Sequence, residues 1–176
     1  MPDRAPAATP ERHADAGLRV GIACSGNPLL HNNKWRSVPL AGFQRLQKYG
    51  ALLLLQSAVM ESDAAYLAAN AGIFHPTANS TDFAETADII ATLDLVISVD
   101  TSIAHLAGAL GKPVWIMLPH TADWRWFRDR SDSPWYPTAR LFRQSAPGDW
   151  DSVLSRVEYE LRLLAARHGC LPRGTA

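Results

Sequence analysis

Cysteine is scarce, with Cys24 and Cys170 the only two in 176 residues. They lie near opposite ends, a placement that supports neither a disulfide framework nor a thiolate metal cluster, so reduced thiols are expected. A surplus of either charge is equally absent, since seventeen Lys and Arg balance seventeen Asp and Glu. No overall field then draws the chain to nucleic acid or to an anionic membrane. No run approaches the roughly twenty apolar residues of a membrane span, and the N-terminus lacks the apolar core of a secretory signal. A cytoplasmic protein with no nucleic-acid partner is expected. There is no G-x-G-x-x-G turn, which argues against a dinucleotide-dependent dehydrogenase, and no G-x-x-x-x-G-K-[ST], which argues against a phosphate-loop NTPase. No His, Asp, Glu and Cys cluster has ligand spacing, so neither metal nor cofactor is expected. No repeat period is visible.

What is present suits one soluble globular domain, with 47% hydrophobic and 19% charged residues. Residues 1–16 are rich in Ala, Pro and charge without periodicity and predict a disordered leader or linker remnant. The folded domain is expected over 17–169, with 170–176 a flexible tail. Strands and helices alternate along it, which predicts an α/β fold: a Rossmann-like parallel sheet of about six strands with helices on both faces.

The organising stretch is 94–118. Leu95 to Val99 is an apolar Val- and Ile-rich run that fits a strand buried on both faces. It stops at Asp100, and Thr101 and Ser102 offer cap hydroxyls to a helix carrying Ile103, Leu106, Ala107 and Leu110 at helical spacing. Gly111-Lys112-Pro113 closes that helix, and Val114 to Leu118 is the next buried strand. In open parallel sheets, ligands sit beyond the carboxyl ends of the strands, where Asp100, Thr101, Ser102 and His105 fall. A helix N-terminus there presents unpaired N–H groups and the positive end of a dipole, both suited to phosphate. The plainer alternative is that Thr101 or Ser102 only caps the helix while His105 packs or meets solvent.

Other candidates occupy the same edge. The loop 25–39 after the first strand, Leu18 to Cys24, is long and polar. It carries the cations Lys34 and Arg36, with Asn27, Asn32, Asn33 and Ser37 as neutral hydrogen-bonding groups. A helix over 40–49 is expected from Leu40, Phe43 and Leu46, and a second strand runs from Ala51 to Gln56. Gln56 ends that strand at the functional edge, where it either touches a nucleoside or satisfies loop backbone. A short helix over Ala64 to Ala71 and a short strand over Gly72 to His75 follow. Thr81 or Asp82 caps a helix through Leu93, with Glu85 in its first turn, and either capping accounts for these residues by itself or the carboxylates, or Thr86, accept from ribose hydroxyls. After Leu118, the loop 119–138 combines Trp124, Trp126, Trp135 and Tyr136 with arginines, and Asp123 and Arg125 are its better site candidates. A strand from Ala139 to Phe142 and a helix from Trp150 to His168, ending at Gly169, complete the chain.

The stretch D-T-S-I-A-H-L-A-G-A-L-G-K-P-V-W at 100–115 resembles the D-[TS]-x-x-x-H signature of heptosyltransferase-like glycosyltransferases, family nine. It is similar especially to the branch in which such a domain follows tetratricopeptide repeats. G-N-P with N-K-W-R-S-V-P-L at 26–40, D-F-A-E-T-A at 82–87, and D-W-R-W with D-S-P-W-Y-P at 123–137 carry the resemblance further. It implies the C-terminal, donor-binding half of a GT-B glycosyltransferase, with a nucleotide-diphosphate sugar as substrate and no cofactor. Lys34 or Arg36 would neutralise leaving-group charge, and His105 would help position the diphosphate or a sugar hydroxyl. The catalytic base would come from an N-terminal half or from another chain bearing it or tetratricopeptide repeats. The terminal helix of such enzymes crosses towards that half, so part of its apolar face is expected to be exposed. The alternatives are a non-enzymatic nucleotide-sugar-binding module, a subunit of a split enzyme, or a small-molecule hydrolase or epimerase.

Overall fold

A computed structural model describes residues 17–27, 33–78, 80 and 82–170. The expected leader 1–16, Asn32, the alternative cap Thr81 and the tail beyond Cys170 lie outside these residues. Six strands form one sheet: β1 (Leu18–Ala23), β2 (Gly50–Leu54), β3 (Ile73–Phe74), β4 (Leu95–Val99), β5 (Val114–Leu118) and β6 (Ala139–Arg143). All pairings are parallel, in the order β3-β2-β1-β4-β5-β6. The order reverses between β1 and β4, where Val20 sits opposite Leu95 and Ala23 opposite Ser98. In such a sheet this is the point at which a crevice opens beyond the strand ends.

The described residues include five α-helices: α1 (Asn33–Arg36), α2 (Glu61–Ala69), α3 (Phe83–Ala91), α4 (Ser102–Ala109) and α5 (Trp150–Arg167). The pleat sends alternate strand residues to opposite faces. Val20, Ile22, Leu95, Ile97, Val99 and Met117 pack with α5 on one face. Val96, Val114, Ile116 and Leu118 pack with α3 and α4 on the other. Gly21 leaves room for Leu93 and Leu55, since a Cβ there would lie 2.5 Å from Leu93 Cδ1 and 2.6 Å from Leu55 Cδ1.

The helix expected at 40–49 is a ten-residue 3-10 helix, Leu40–Tyr49. Its buried residues Leu40, Phe43, Leu46 and Tyr49 recur every three positions, the period of that helix, so one apolar ridge faces the core along its length. Its first amide is held from outside. Pro39 makes no side-chain cap, and Leu40 N donates at 3.0 Å to Oδ1 of Asp63, a 5%-exposed carboxylate on α2. Cys24 Sγ also points to Asp63, at 3.8 Å. Burial, reinforced by the Asp63 charge, pushes the Cys24 thiol up to about 12.

Both helix ends expected at glycine are Schellman closures. At α4, Gly111 has φ 68, Gly111 N donates to Gly108 O and Lys112 N to Ala107 O. At α5, Gly169 has φ 70, Gly169 N donates to Ala166 O and Cys170 N to Ala165 O, so Cys170 closes the helix rather than starting a free tail. Most of the apolar face of α5 is covered, with Leu164 only partly buried. Val153, Leu154, Val157, Leu161 and Ala165 are all buried against the 3-10 helix and the sheet. The helix expected from Ala64 begins earlier, at Glu61, because the Met60 carbonyl accepts from Asp63 N and Ala64 N and starts the turn.

Candidate functional site

Two clefts open at the carboxyl edge, on either side of a contact between the β1 and β4 loops. Gly26 N donates to the buried Asn33 Oδ1 at 2.9 Å, which ties the loop to α1. Arg36 then reaches back across that loop. Its Nη1 donates to Asp100 O at 2.8 Å, and its guanidinium lies so close to Gly26 that a Cβ there would sit 2.4 Å from Nη2. Glycine is required at 26 for this approach.

The first cleft, about 590 Å³, lies at the switch point. Ser25, Gly26 and Asn27 line it from β1, Gln56 and Ser57 from β2, Thr86 from α3, and Thr101, Ser102 and Ile103 from α4. At its floor the expected cap on α4 is not made. Thr101 occupies the N-cap position, but its side chain bonds none of the helix amides. The hydroxyl meets Ser98 Oγ instead, at 3.0 Å, while Ser98 Oγ donates to Val99 O at 2.7 Å. With the Ser98 hydrogen directed at a carbonyl, Thr101 is the donor of the pair. The neighbouring helix α3 contrasts with this, because Asp82 accepts from both Ala84 N and Glu85 N. The first turn of α4 therefore leaves Ser102 N and Ile103 N without a side-chain cap beside the cleft that these residues line, while Ala104 N donates to Thr101 O.

Gln56 lines the same cleft with its amide fully engaged. Oε1 accepts from Cys24 N at 2.7 Å and Ser25 N at 3.0 Å, and Nε2 donates to Ser25 Oγ and Ala58 O. Two acceptances and two donations saturate a carboxamide, so of the two readings Gln56 fulfils the one that satisfies loop backbone.

The second cleft, about 720 Å³, holds Lys34, Trp35, Arg36 and Ser37 from the α1 loop and Asp100 from the end of β4. His120 and Asp123 after β5, Gln144 after β6, and Trp150 at the start of α5 complete it. The twelve residues picked from sequence thus divide. Asn27, Gln56, Thr101 and Ser102 line the first cleft, and Lys34, Arg36, Ser37, Asp100 and Asp123 line the second. Glu85, His105 and Arg125 line neither. Asp123 and Arg125 are bound to each other, Nη1 to Oδ1 at 2.7 Å, and Arg125 O accepts from Trp135 Nε1, so this pair also knits its own loop.

His105 stands beside the shared rim, held on three sides. Nδ1 is 2.9 Å from Tyr136 Oη, Nε2 is 3.7 Å from Asp100 Oδ1, and the ring stacks on fully buried Trp126 with centroids 5.3 Å apart. Gly108 makes the Tyr136 contact possible, since a Cβ there would lie 2.5 Å from that ring. Sequence reasoning named neither Tyr136 as a partner of His105 nor His120 and Gln144 as cleft residues. A polar residue directly after a buried strand, the clue that led to Gln56, applies equally to Gln144.

An all-parallel sheet in this order, with its crevice at the reversal, defines a Rossmann-like domain of the kind that forms one half of a GT-B transferase. The sequence profile of "Glycosyltransferase family 9 (heptosyltransferase)" matches residues 32–126, more than half of the chain, and the chain belongs to that family. Among solved structures it is similar to E. coli ADP-heptose LPS heptosyltransferase II, with a TM-score of 0.55 at 16% identity, over 89% of this chain and 49% of that one. It is also 35% identical over 86 residues to Protein FlbA of Caulobacter vibrioides, covering 48% of this chain and 14% of FlbA. The chain therefore spans about half of the solved relative and about a seventh of FlbA.

Proposed function

We propose that this chain is the donor-binding half of a glycosyltransferase that uses a nucleotide-diphosphate sugar and needs no metal. The carrying observation is the uncapped start of α4 at the switch-point cleft, where the Thr101 hydroxyl is tied to Ser98. A diphosphate there accepts from the first-turn amides and meets the positive end of the helix dipole. The nucleoside occupies the first cleft between Asn27, Thr86 and Ile103. Lys34, exposed on α1, supplies mobile positive charge to the leaving diphosphate. Arg36, anchored on Asp100 O, holds the two loops at the spacing this requires.

Transfer needs the acceptor and its base on the opposite wall of the cleft. Such a wall corresponds to the half of the heptosyltransferase II chain that has no match here. We assign it to an N-terminal half, or to another chain that carries that half or a tetratricopeptide-repeat domain. Alone, this chain binds donor and does not transfer it. Calorimetric titration of ADP, UDP and GDP into the chain tests the reading. One nucleoside diphosphate is expected to saturate a single site, and failure of all three at millimolar concentration refutes it.

A further inference from the structure

Gln144 is 3% exposed, and its amide is only half used. Oε1 accepts from His120 N at 3.1 Å and Gly148 N at 3.3 Å. Those two donors fix the orientation of the amide, because the flipped form would set its NH2 against two N–H groups. Nε2 is left buried in a residue that lines the second cleft, with no partner among the described residues. A buried NH2 group without an acceptor carries an unrecovered desolvation cost, which a ligand oxygen recovers.

The surroundings define that ligand. Asp100, with a side chain 17% exposed, offers carboxylate oxygens to hydroxyl donors. His120 Nδ1 lies 3.4 Å from Gln144 O, a carbonyl that only accepts, so in the tautomer that donates from Nδ1 the ring offers Nε2 as an acceptor. Half-buried Trp150 and exposed Trp35 add apolar ring faces. Donors, acceptors and flat apolar faces in one cleft suit a polyhydroxylated ring. Position agrees with chemistry. Asp100 and Thr101 are adjacent in the chain yet line different clefts, so a group attached to a diphosphate on α4 crosses the rim directly into the second cleft.

We infer that the second cleft receives the glycosyl group of the donor, and that Gln144 is a specificity-determining residue reading one of its oxygens. This rests on the donor-site reading above. The test compares three matched pairs, ADP with ADP-glucose, UDP with UDP-glucose and GDP with GDP-mannose, on wild type and Gln144→Glu. The glutamate keeps an oxygen for His120 N and Gly148 N and replaces the donating NH2 with an accepting oxygen, which carries charge when ionised. For the pair that binds, the sugar nucleotide is expected to bind about five- to tenfold more tightly than its diphosphate, the increment of a hydrogen bond recovered from a buried group. The variant should lose that increment and keep diphosphate affinity. In wild type, the Gln144 side-chain NH2 resonances should shift with the sugar nucleotide and not with the diphosphate, a readout that needs no variant to fold. Diphosphate binding with no increment, or with an increment that survives the substitution, or with unmoved Gln144 resonances, overturns the inference and leaves the donor site standing. Absence of all binding overturns both.

Discussion

Replacing Ser102 by glutamate sets stability and binding against each other. Ser102 is the exposed first residue of α4, at the end of the helix whose amides carry no side-chain cap. A carboxylate there interacts favourably with the dipole, worth about 0.3–1 kcal/mol, and raises the melting temperature by about 1–3 °C in a chain of this size. For a diphosphate on the same amides the sign reverses. Two unit charges about 5 Å apart at an effective dielectric near 20 repel by about 3 kcal/mol, and screening at physiological salt roughly halves this. With about two phosphate charges in range, the loss is about 3 kcal/mol, or a hundredfold in affinity. Ser102→Lys inverts both signs, with a slightly lower melting temperature and retained or tighter binding. Thermal melts and calorimetric titration of the same three proteins decide the matter. If Ser102→Glu binds the diphosphate as tightly as wild type, the ligand does not sit on α4.

Asp63→Ala leaves Leu40 N buried without an acceptor and should cost about 1–3 kcal/mol, read as a lowered urea midpoint. The Cys24 thiol, raised to about 12 by burial and the Asp63 charge, should resist iodoacetamide at pH 8 until the chain unfolds. Because its folded value lies above its unfolded one, its contribution to stability is complete below about pH 9 and declines as pH rises towards 12. An acid-side loss traced to Cys24 would contradict this. Gly108→Ala drives a Cβ into the Tyr136 ring and should cost about 1–3 kcal/mol, with a change in tryptophan emission as Trp126 loses its place against His105.

The βαβ unit at 95–118 was legible because both strands are unbroken apolar runs and each boundary is punctuated, by Asp100 at one junction and Gly111-Lys112-Pro113 at the other. Its strand limits match the structure residue for residue. The 3-10 character of 40–49 was visible in principle, since Leu40, Phe43 and Leu46 repeat at three rather than alternating three and four. The division of the candidate residues between two clefts was not legible. It depends on Arg36 reaching a backbone carbonyl 64 residues away, and a carbonyl carries no side-chain identity for a sequence pattern to reveal. The diverted Thr101 hydroxyl was hidden similarly. Ser98 stands inside a hydrophobic strand on the same face as Val96, and only the turn after β4 brings Thr101 back against it.

The pairing of β1 with β4 joins residues 75 positions apart, as the Arg19 N to Asp94 bond records. Neither wall of the switch-point crevice has meaning before that pairing forms, so a nascent chain emerging as far as β3 contains the loops after β1 and β2 but no pocket. Closing so long a loop is slow compared with helix formation, and a nucleotide can join only after the slowest contacts are in place. Added ligand should therefore leave the refolding rate unchanged while slowing unfolding, which turns a piece of topology into a kinetic signature.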